Sequence, residues 1–283
     1  MVQVTVARNS QPRSLIVTIY GAYAREAGGW LSVAALIRLM ESLGVDEPAV
    51  RSSISRLKRR GILVADRLDG AAGYGLSERA REILAEGDRR IFHRRVVSLE
   101  EGWVLAVFSV PETERSRRHT LRSRLTWLGF GNVAPGVWIA PVQLAEETHD
   151  VLGRLGLTRY VDLFTARAMN AVNLAGDVAR WWNLERISAA YTNYVREWRS
   201  IALAWQRRRR VDVEQAFVDY MLTLNAWRRL PYLDPGLPAE LLPPDWPATD
   251  AAEVFFALHD RLQGPAHEFV EIVRSTFAVG EQG

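Results

Sequence analysis

"VRSSISRLKRRGIL", residues 50–63, carries five cations and three serines, and no acid stands between Pro48 and Ala65. Advancing about 100° per residue from Val50 sets Ile54 near 40° and Leu57 near 340°, so those three form one apolar stripe. Opposite them fall Ser52, Ser55, Arg56 and Arg59, with Arg51 and Lys58 on one flank and Arg60 on the other. A helix that only packs and dissolves mixes its charge signs. Short hydroxyls between guanidiniums instead let a backbone approach closely and reach phosphates or base edges. The competing reading is a solvated charged face.

The flanks favour the first reading. "PRSLIVTIYGAYARE" places Leu15, Ile16, Ile19, Tyr20 and Tyr23 on one stripe behind Pro12, with Gly28-Gly29 as a stop. "LSVAALIRLMESLG" follows with Ser32 as N-cap, Leu36, Ile37, Met40 and Leu43 inward, and Gly44 as C-terminal cap. Gly44-Val45-Asp46 is a turn short enough to join two helices of a helix-turn-helix. After Gly61, Ile62 to Val64 and Tyr74 to Leu76 read as strands around an Asp69-Gly70 loop, and Ser77 caps another helix. Three helices and a hairpin make a winged helix-turn-helix, with the third helix as reader and Arg67 near the wing.

Beyond "RRIFHRR" the periodicity changes. "WVLAVFSV" reads as a strand, "ETERSRRHTLRSRLTWLG" as a helix with Leu121, Leu125 and Leu128 inward, and "GNVAPGVWIAP" as a strand, turn and strand. Residues 144–155 read as a helix and "RYVDLFTA" as a final strand, giving a βαββαβ, ferredoxin-like order. From Asp177 the chain reads as Trp-rich helix through Trp205, then a four-arginine break at 207–210, a helix over 213–229 and a last helix from about Asp250 to Phe277. The Arg207–Arg210 run suits a solvated break between helices, with phosphate contact as the other reading. "LPYLDPGLPAELLPPDWP" holds too many prolines for helix and is expected to wrap the surface in extended form. The whole is α+β and multidomain: a winged helix-turn-helix over 1–95, a ferredoxin-like domain over 96–176 and an all-α domain over 177–283.

Composition narrows the chemistry. The chain has 283 residues, 48% of them hydrophobic, and a net charge of +3. Residues 1–95 hold 16 Lys/Arg against 10 Asp/Glu, the middle segment is neutral, and residues 177–283 sum to −3, so the positive excess lies with the opening stretch. Lys58 is the only lysine, so the choice of Arg elsewhere says little. With no cysteine, disulfides, thiol nucleophiles and zinc fingers are excluded. "MVQVTVARNSQPR" lacks the apolar core of a secretory signal, and no apolar run reaches the roughly 18–20 residues of a membrane span, so a cytoplasmic protein is expected.

Enzyme signatures are scarce. His93, His119, His149, His259 and His267 never fall at metal-binding spacing. "GFGNVA" at 129–134 matches a dinucleotide fingerprint on paper, but it follows a helix and runs into Pro135-Gly136, which suits a turn feeding a hairpin. The chain reads as a non-enzyme without a cofactor.

Three stretches together resemble the PaaX family of bacterial transcriptional regulators: "RSLIVTIYGAYAREAGGWLSVAALIRLMESLGVDEPAVRSSISRLKRRG", "LRSRLTWLGFGNVAPGVWIAP" and "WRRLPYLDPGLPAELLPPDWP". The likeness runs from about residue 13 to 275. It implies a repressor with an N-terminal DNA-binding domain, a Cas2-like ferredoxin-fold middle and a helical C-terminal domain. It also implies control of phenylacetate-type catabolism and release from the operator by phenylacetyl-CoA or a related aryl-acyl-CoA. By position, Arg51 to Arg60 would be the reading helix and residues 61–76 the wing. The sequence departs from the family at the wing, where "GAAGYGL" replaces an Arg-rich, double-tyrosine tip, and at the start of the middle domain, where Glu101-Gly102-Trp103 replaces Asp-Gly-x-Trp. Ser109 stands where Cas2 nucleases carry an aspartate, which leaves Asp162 as the one placed carboxylate and argues against a metal-dependent nuclease.

The expected DNA contacts are Arg51, Ser52, Ser55, Arg56, Lys58, Arg59, Arg60 and Arg67. One reading helix spans few base pairs, so a homodimer on an inverted-repeat, double-stranded operator is expected. For an acyl-CoA effector, Trp103, Arg122, Arg124, Trp127, Phe130 and Trp138 offer arginines for phosphates and aromatics for an acyl group. The rival readings are a Cas2-like nuclease and a regulator with no small-molecule ligand.

Overall fold

The computed structural model describes residues 11–25, 28–68, 70–93, 96–168 and 173–277. The N-terminal "MVQVTVARNS", Asp69 of the expected wing loop, and Arg94-Arg95 lie outside the described residues. Its contacts divide into two units: Met1–Arg89 with Asn193–Arg228 and Thr249–Gly283, and Arg90–Thr192 with Arg229–Ala248.

In the first unit, α1 (Pro12–Ile19) starts at its proline and continues as a π-helical turn, Tyr20–Ala24. Its stripe of Leu15, Ile16, Ile19 and Tyr20 is fully buried, and Tyr23 is 4% exposed. After β1 (Trp30–Ser32), α2 (Val33–Ser42) begins with the Ser32 hydroxyl accepting from the Ala35 amide at 3.1 Å. Leu36, Leu39 and Met40 are buried on it, whereas Ile37 is half-buried. The inward set therefore keeps Leu36, Met40 and Leu43 of the expected one, with Leu39 buried in place of Ile37, and α2 packs against α1 and α3 (Glu47–Arg59). β2 (Leu63–Leu68) and β3 (Ala71–Leu76) form the hairpin, and β1 adds a third strand to give the order β1-β3-β2. Leu31 pairs with Tyr74 and Ser32 with Gly73. Three residues without alternation left β1 no sequence signal. α4 (Glu78–Phe92) follows, with Ser77 accepting from the Ala80 amide.

The second unit carries β4 (Trp103–Phe108), α5 (Arg115–Leu128), β5 (Gly131–Ala134), β6 (Val137–Pro141), α6 (Ala145–Arg154) and β7 (Val161–Ala166). All sheet pairings are antiparallel in the order β5-β6-β4-β7. Leu121, Leu125 and Leu128 of α5 are fully buried, as their spacing predicts. Gly129 closes α5 in the left-handed conformation (φ 97°), and β5 begins two residues later. "GFGNVA" is thus a helix stop feeding a hairpin.

The C-terminal segments differ from expectation in two places. The helix expected from Asp177 through Trp205 is broken into α7 (Leu174–Trp181) and α8 (Leu184–Arg207). Trp182 is extended there, its buried indole donates to the Gly129 carbonyl at 2.8 Å, and the Asn183 side chain accepts from the Arg186 amide to start the next helix. The proline-rich segment includes a helical turn, α10 (Leu230–Leu233), which follows α9 (Val213–Trp227), and residues 234–238 are buried instead of exposed. Burial is tolerated because Asp234, 1% exposed, accepts from the Gly236 amide at 2.9 Å and the Tyr191 hydroxyl at 3.1 Å, while Leu237 and Leu241 join an apolar cluster. The last helix, α11 (Ala248–Thr276), absorbs Pro265.

Within the first unit α9 lies against α1. Asn225 accepts from Ser14 at 2.6 Å and from Thr18 at 3.1 Å, and Arg228 donates to the Ser14 hydroxyl at 2.8 Å. Around them Trp227 stacks on Phe255 with centroids 4.7 Å apart, and the buried Trp205 indole donates to the buried Asp219 carboxylate at 2.7 Å. None of the described helices is long and apolar enough to cross a membrane.

Candidate nucleic-acid interface

α3 is started by Asp46, whose carboxylate accepts from the Ala49 amide at 2.8 Å, with Pro48 in the first turn where its missing N–H costs nothing. It ends at Arg60, and Gly61 turns the chain with φ 66°. Val50, Ser53, Ile54 and Leu57 are buried on its inner side. Arg51, Ser52, Ser55, Arg56, Lys58, Arg59 and Arg60 are all exposed. The helix end explains part of this bias, since cations in the last turn complement the backbone dipole. It does not explain Arg51 or the serines.

The exposed cations are lightly held. Arg51 pairs with Glu47 at 2.6 Å on the surface, where such a pair contributes little and exchanges readily for another anion. Arg56 donates to the Ser52 hydroxyl at 3.0 Å. The Lys58 ammonium lies 5.8 Å from the Tyr74 ring, which places β3 of the hairpin beside α3. A cleft there is lined by Val33, Arg51, Ser55, Lys58, Arg59 and Tyr74. Arg67 is exposed on β2 opposite Ala72, and the hairpin also exposes Val64 and Leu68, each about half. Seven expected contacts thus share one helix face, with Arg67 on the hairpin that follows.

The six residues read as an effector pocket are not brought together. Side chains alternate along a strand, and Trp103 lies in a cluster with Ile139, Val178 and Trp182 on one face of the four-stranded sheet. Trp138, opposite Ala106, points to the other face and packs with Phe130 among the leucines of α5. Arg122, Arg124 and Trp127 stand exposed on α5. Trp127 and Arg124 are three apart and share a side, whereas Arg122 lies roughly 140° round the helix. Sequence reasoning missed Tyr232, whose ring lies 5.0 Å from Trp127, and Arg90, 5.1 Å from Tyr232 and paired with Glu147 at 2.8 Å. No local pattern announces partners a hundred residues apart.

Comparison with known proteins matches residues 11–80 to the PaaX-like protein model, residues 97–176 to the PaaX protein central Cas2-like domain, and residues 182–272 to the PaaX-like protein C-terminal domain. The chain belongs to the PaaX family. The order of the three matches follows the chain, and the four-stranded sheet belongs to the Cas2-like domain of this PaaX-family member. Among its relatives, the transcriptional repressor PaaX of Escherichia coli (strain K12) is 27% identical over 272 residues, 95% of this chain and 85% of that one. A solved structure, the uncharacterized protein Rv0674 from Mycobacterium tuberculosis, is similar in fold, with a TM-score of 0.54 and 24% identity, covering 91% of this chain and all of that one.

Proposed function

We propose that this PaaX-family protein is a DNA-binding transcriptional repressor whose α3 reads a major groove. The observation that carries the proposal is the division of α3 into a buried apolar stripe and an outer face of five cations and two hydroxyls, all exposed. Residues 1–95 then act as a winged helix-turn-helix, with β2 and β3 as the wing, and 96–176 as a ferredoxin-like domain ahead of helices over 177–283. Arg56, Arg59, Ser52 and Ser55 contact base edges, while Arg51, Lys58, Arg60 and Arg67 hold phosphates. The name of the Escherichia coli relative, a transcriptional repressor, supports the same reading. A homodimer on an inverted repeat supplies affinity that one short helix lacks.

Release by an aryl-acyl-CoA thioester requires unequal affinity for two protein states, and a hundredfold loss of operator binding corresponds to about 2.7 kcal/mol of coupling. For that ligand Arg124 and the exposed Trp127, with the half-buried Tyr232 beside it, offer a cation and an aromatic pair. Titration calorimetry with phenylacetyl-CoA tests this, and heat unchanged by Trp127→Ala would place the ligand elsewhere.

The test of the central claim is a gel shift with duplexes that the protein itself selects from a random pool, compared with unselected duplex. Arg59→Ala is expected to weaken the selected duplex by roughly 1–3 kcal/mol and random duplex far less. Equal weakening of both removes the base-reading role.

A further inference from the structure

We propose that the loop carrying Arg207–Arg210 is a second phosphate-binding arm for the duplex that α3 reads. The inference rests on the DNA-reading role proposed above and extends it to a surface contributed by the far end of the chain. All four arginines are exposed. Arg207 sits in the last turn of α8, where a cation complements the helix dipole, so its charge needs no partner. The other three lie beyond the helix.

The loop is built, not loose. The Arg208 guanidinium stacks over the buried Trp205 ring at 4.4 Å, and its carbonyl accepts from Arg261 at 3.0 Å, which brings a fifth cation to the loop. The following carboxylates are already engaged. Asp212 caps α9 by accepting from the Gln215 amide at 3.1 Å. Glu214 accepts from Arg38 at 2.8 Å and from the Ser42 hydroxyl at 2.7 Å. Among the described residues, Arg209 and Arg210 have no ion-pair partner.

The Glu214 contacts also bound where the arm lies. Arg38 and Ser42 belong to the last turns of α2, and only Leu43 to Asp46 separate Ser42 from the start of α3. Arg210 is four residues from Glu214, so its backbone lies within about 14 Å of the residue held against Ser42. A helix seated in a major groove roughly 12 Å wide has phosphate rims on both sides. Anchored through Ser42, which four residues separate from the N-terminal end of that helix, the arm reaches one rim. Glu214, the second carboxylate after the run, ties the start of α9 to the end of α2, which a merely solvated break between helices does not require.

The test compares the full-length wild type with an Arg209→Gln/Arg210→Gln double variant by fluorescence anisotropy. A duplex selected by the wild type and a random duplex are titrated between about 50 and 300 mM salt. Each phosphate contact contributes about 0.9 to the slope of log affinity against log salt, so the variant's slope is expected to be shallower by roughly 2. Both duplexes should weaken by the same factor, leaving discrimination intact, and an Arg209→Lys/Arg210→Lys variant should restore the slope. An unchanged slope, or a Lys variant as defective as the Gln variant, overturns the arm. The two proposals separate cleanly. A shallower slope together with an Arg59→Ala variant that discriminates normally refutes reading by α3 while the arm stands.

Discussion

Gly73 has φ in the ordinary range, yet no side chain fits there. A Cβ built on it would lie 2.4 Å from two carbons of the Trp30 indole and 2.5 Å from the Leu31 carbonyl oxygen. Comfortable contact between carbon atoms is about 3.5–4.0 Å, so Gly73→Ala forces a movement of roughly 1 Å. The indole can swing aside, but the carbonyl belongs to the β1 backbone paired with β3. The strand must therefore lift, loosening Leu31, which is 1% exposed and whose full burial stabilises by about 1.5–3 kcal/mol. Adding an overpacking cost of similar size gives an expected loss of about 3 kcal/mol. Urea denaturation followed by tryptophan fluorescence measures it. In a Trp30→Ala background two of the three clashes vanish, so the cost should fall by about 1 kcal/mol, a coupling that a double-mutant cycle resolves. A Gly73→Ala protein within 0.5 kcal/mol of wild type, or strict additivity with Trp30→Ala, would refute the argument. Because Tyr74 adjoins Gly73 and faces Lys58, the variant should also weaken duplex binding under conditions where it remains folded.

Asp219→Ala should cost roughly 2–4 kcal/mol in the same assay, because it strands the Trp205 N–H in a site 1% exposed; Asp219→Asn keeps an acceptor and should recover most of that. A loss under 0.5 kcal/mol would mean the indole finds another partner. His259, half-buried and hydrogen-bonded to the Tyr220 hydroxyl at 2.8 Å, is held below the ordinary histidine value of 6.5 by burial, with Asp260 opposing. The unfolded chain then binds more protons in mild acid, so stability present at pH 7 falls as pH drops through about 6.5 toward the folded value. Denaturation midpoints at pH 7 and about 5.5 should differ, and His259→Gln should narrow the difference. An identical pH response in that variant assigns the effect to another group.

What the sequence determined by itself is chiefly local and periodic. The stripes of α1, α3 and α5 could be read from spacing because a helix repeats every 3.6 residues and one buried side suffices to mark it. The cationic face of α3 was legible for the same reason: seven residues at known angles needed no partner to define where they point. Caps at Ser32, Asp46 and Ser77 were equally local, each a side chain accepting from an amide three residues on.

Only the tertiary structure decided matters in which distant segments meet. It paired β1, three residues with no periodic signal of their own, with β3, whose Gly73 admits the Trp30 ring. It put Trp103 and Trp138 on opposite faces of one sheet, because strand alternation fixes that neighbours diverge but not which cluster covers each face. It buried residues 234–238, whose prolines argued for a surface wrap, by giving Asp234 its two donors. And it set Glu214 against Arg38 and Ser42, tying the segment that follows the arginine run to the end of α2. Each of these depends on contacts between residues remote in sequence, where the gain comes from shape and pairing that no single window of the chain contains.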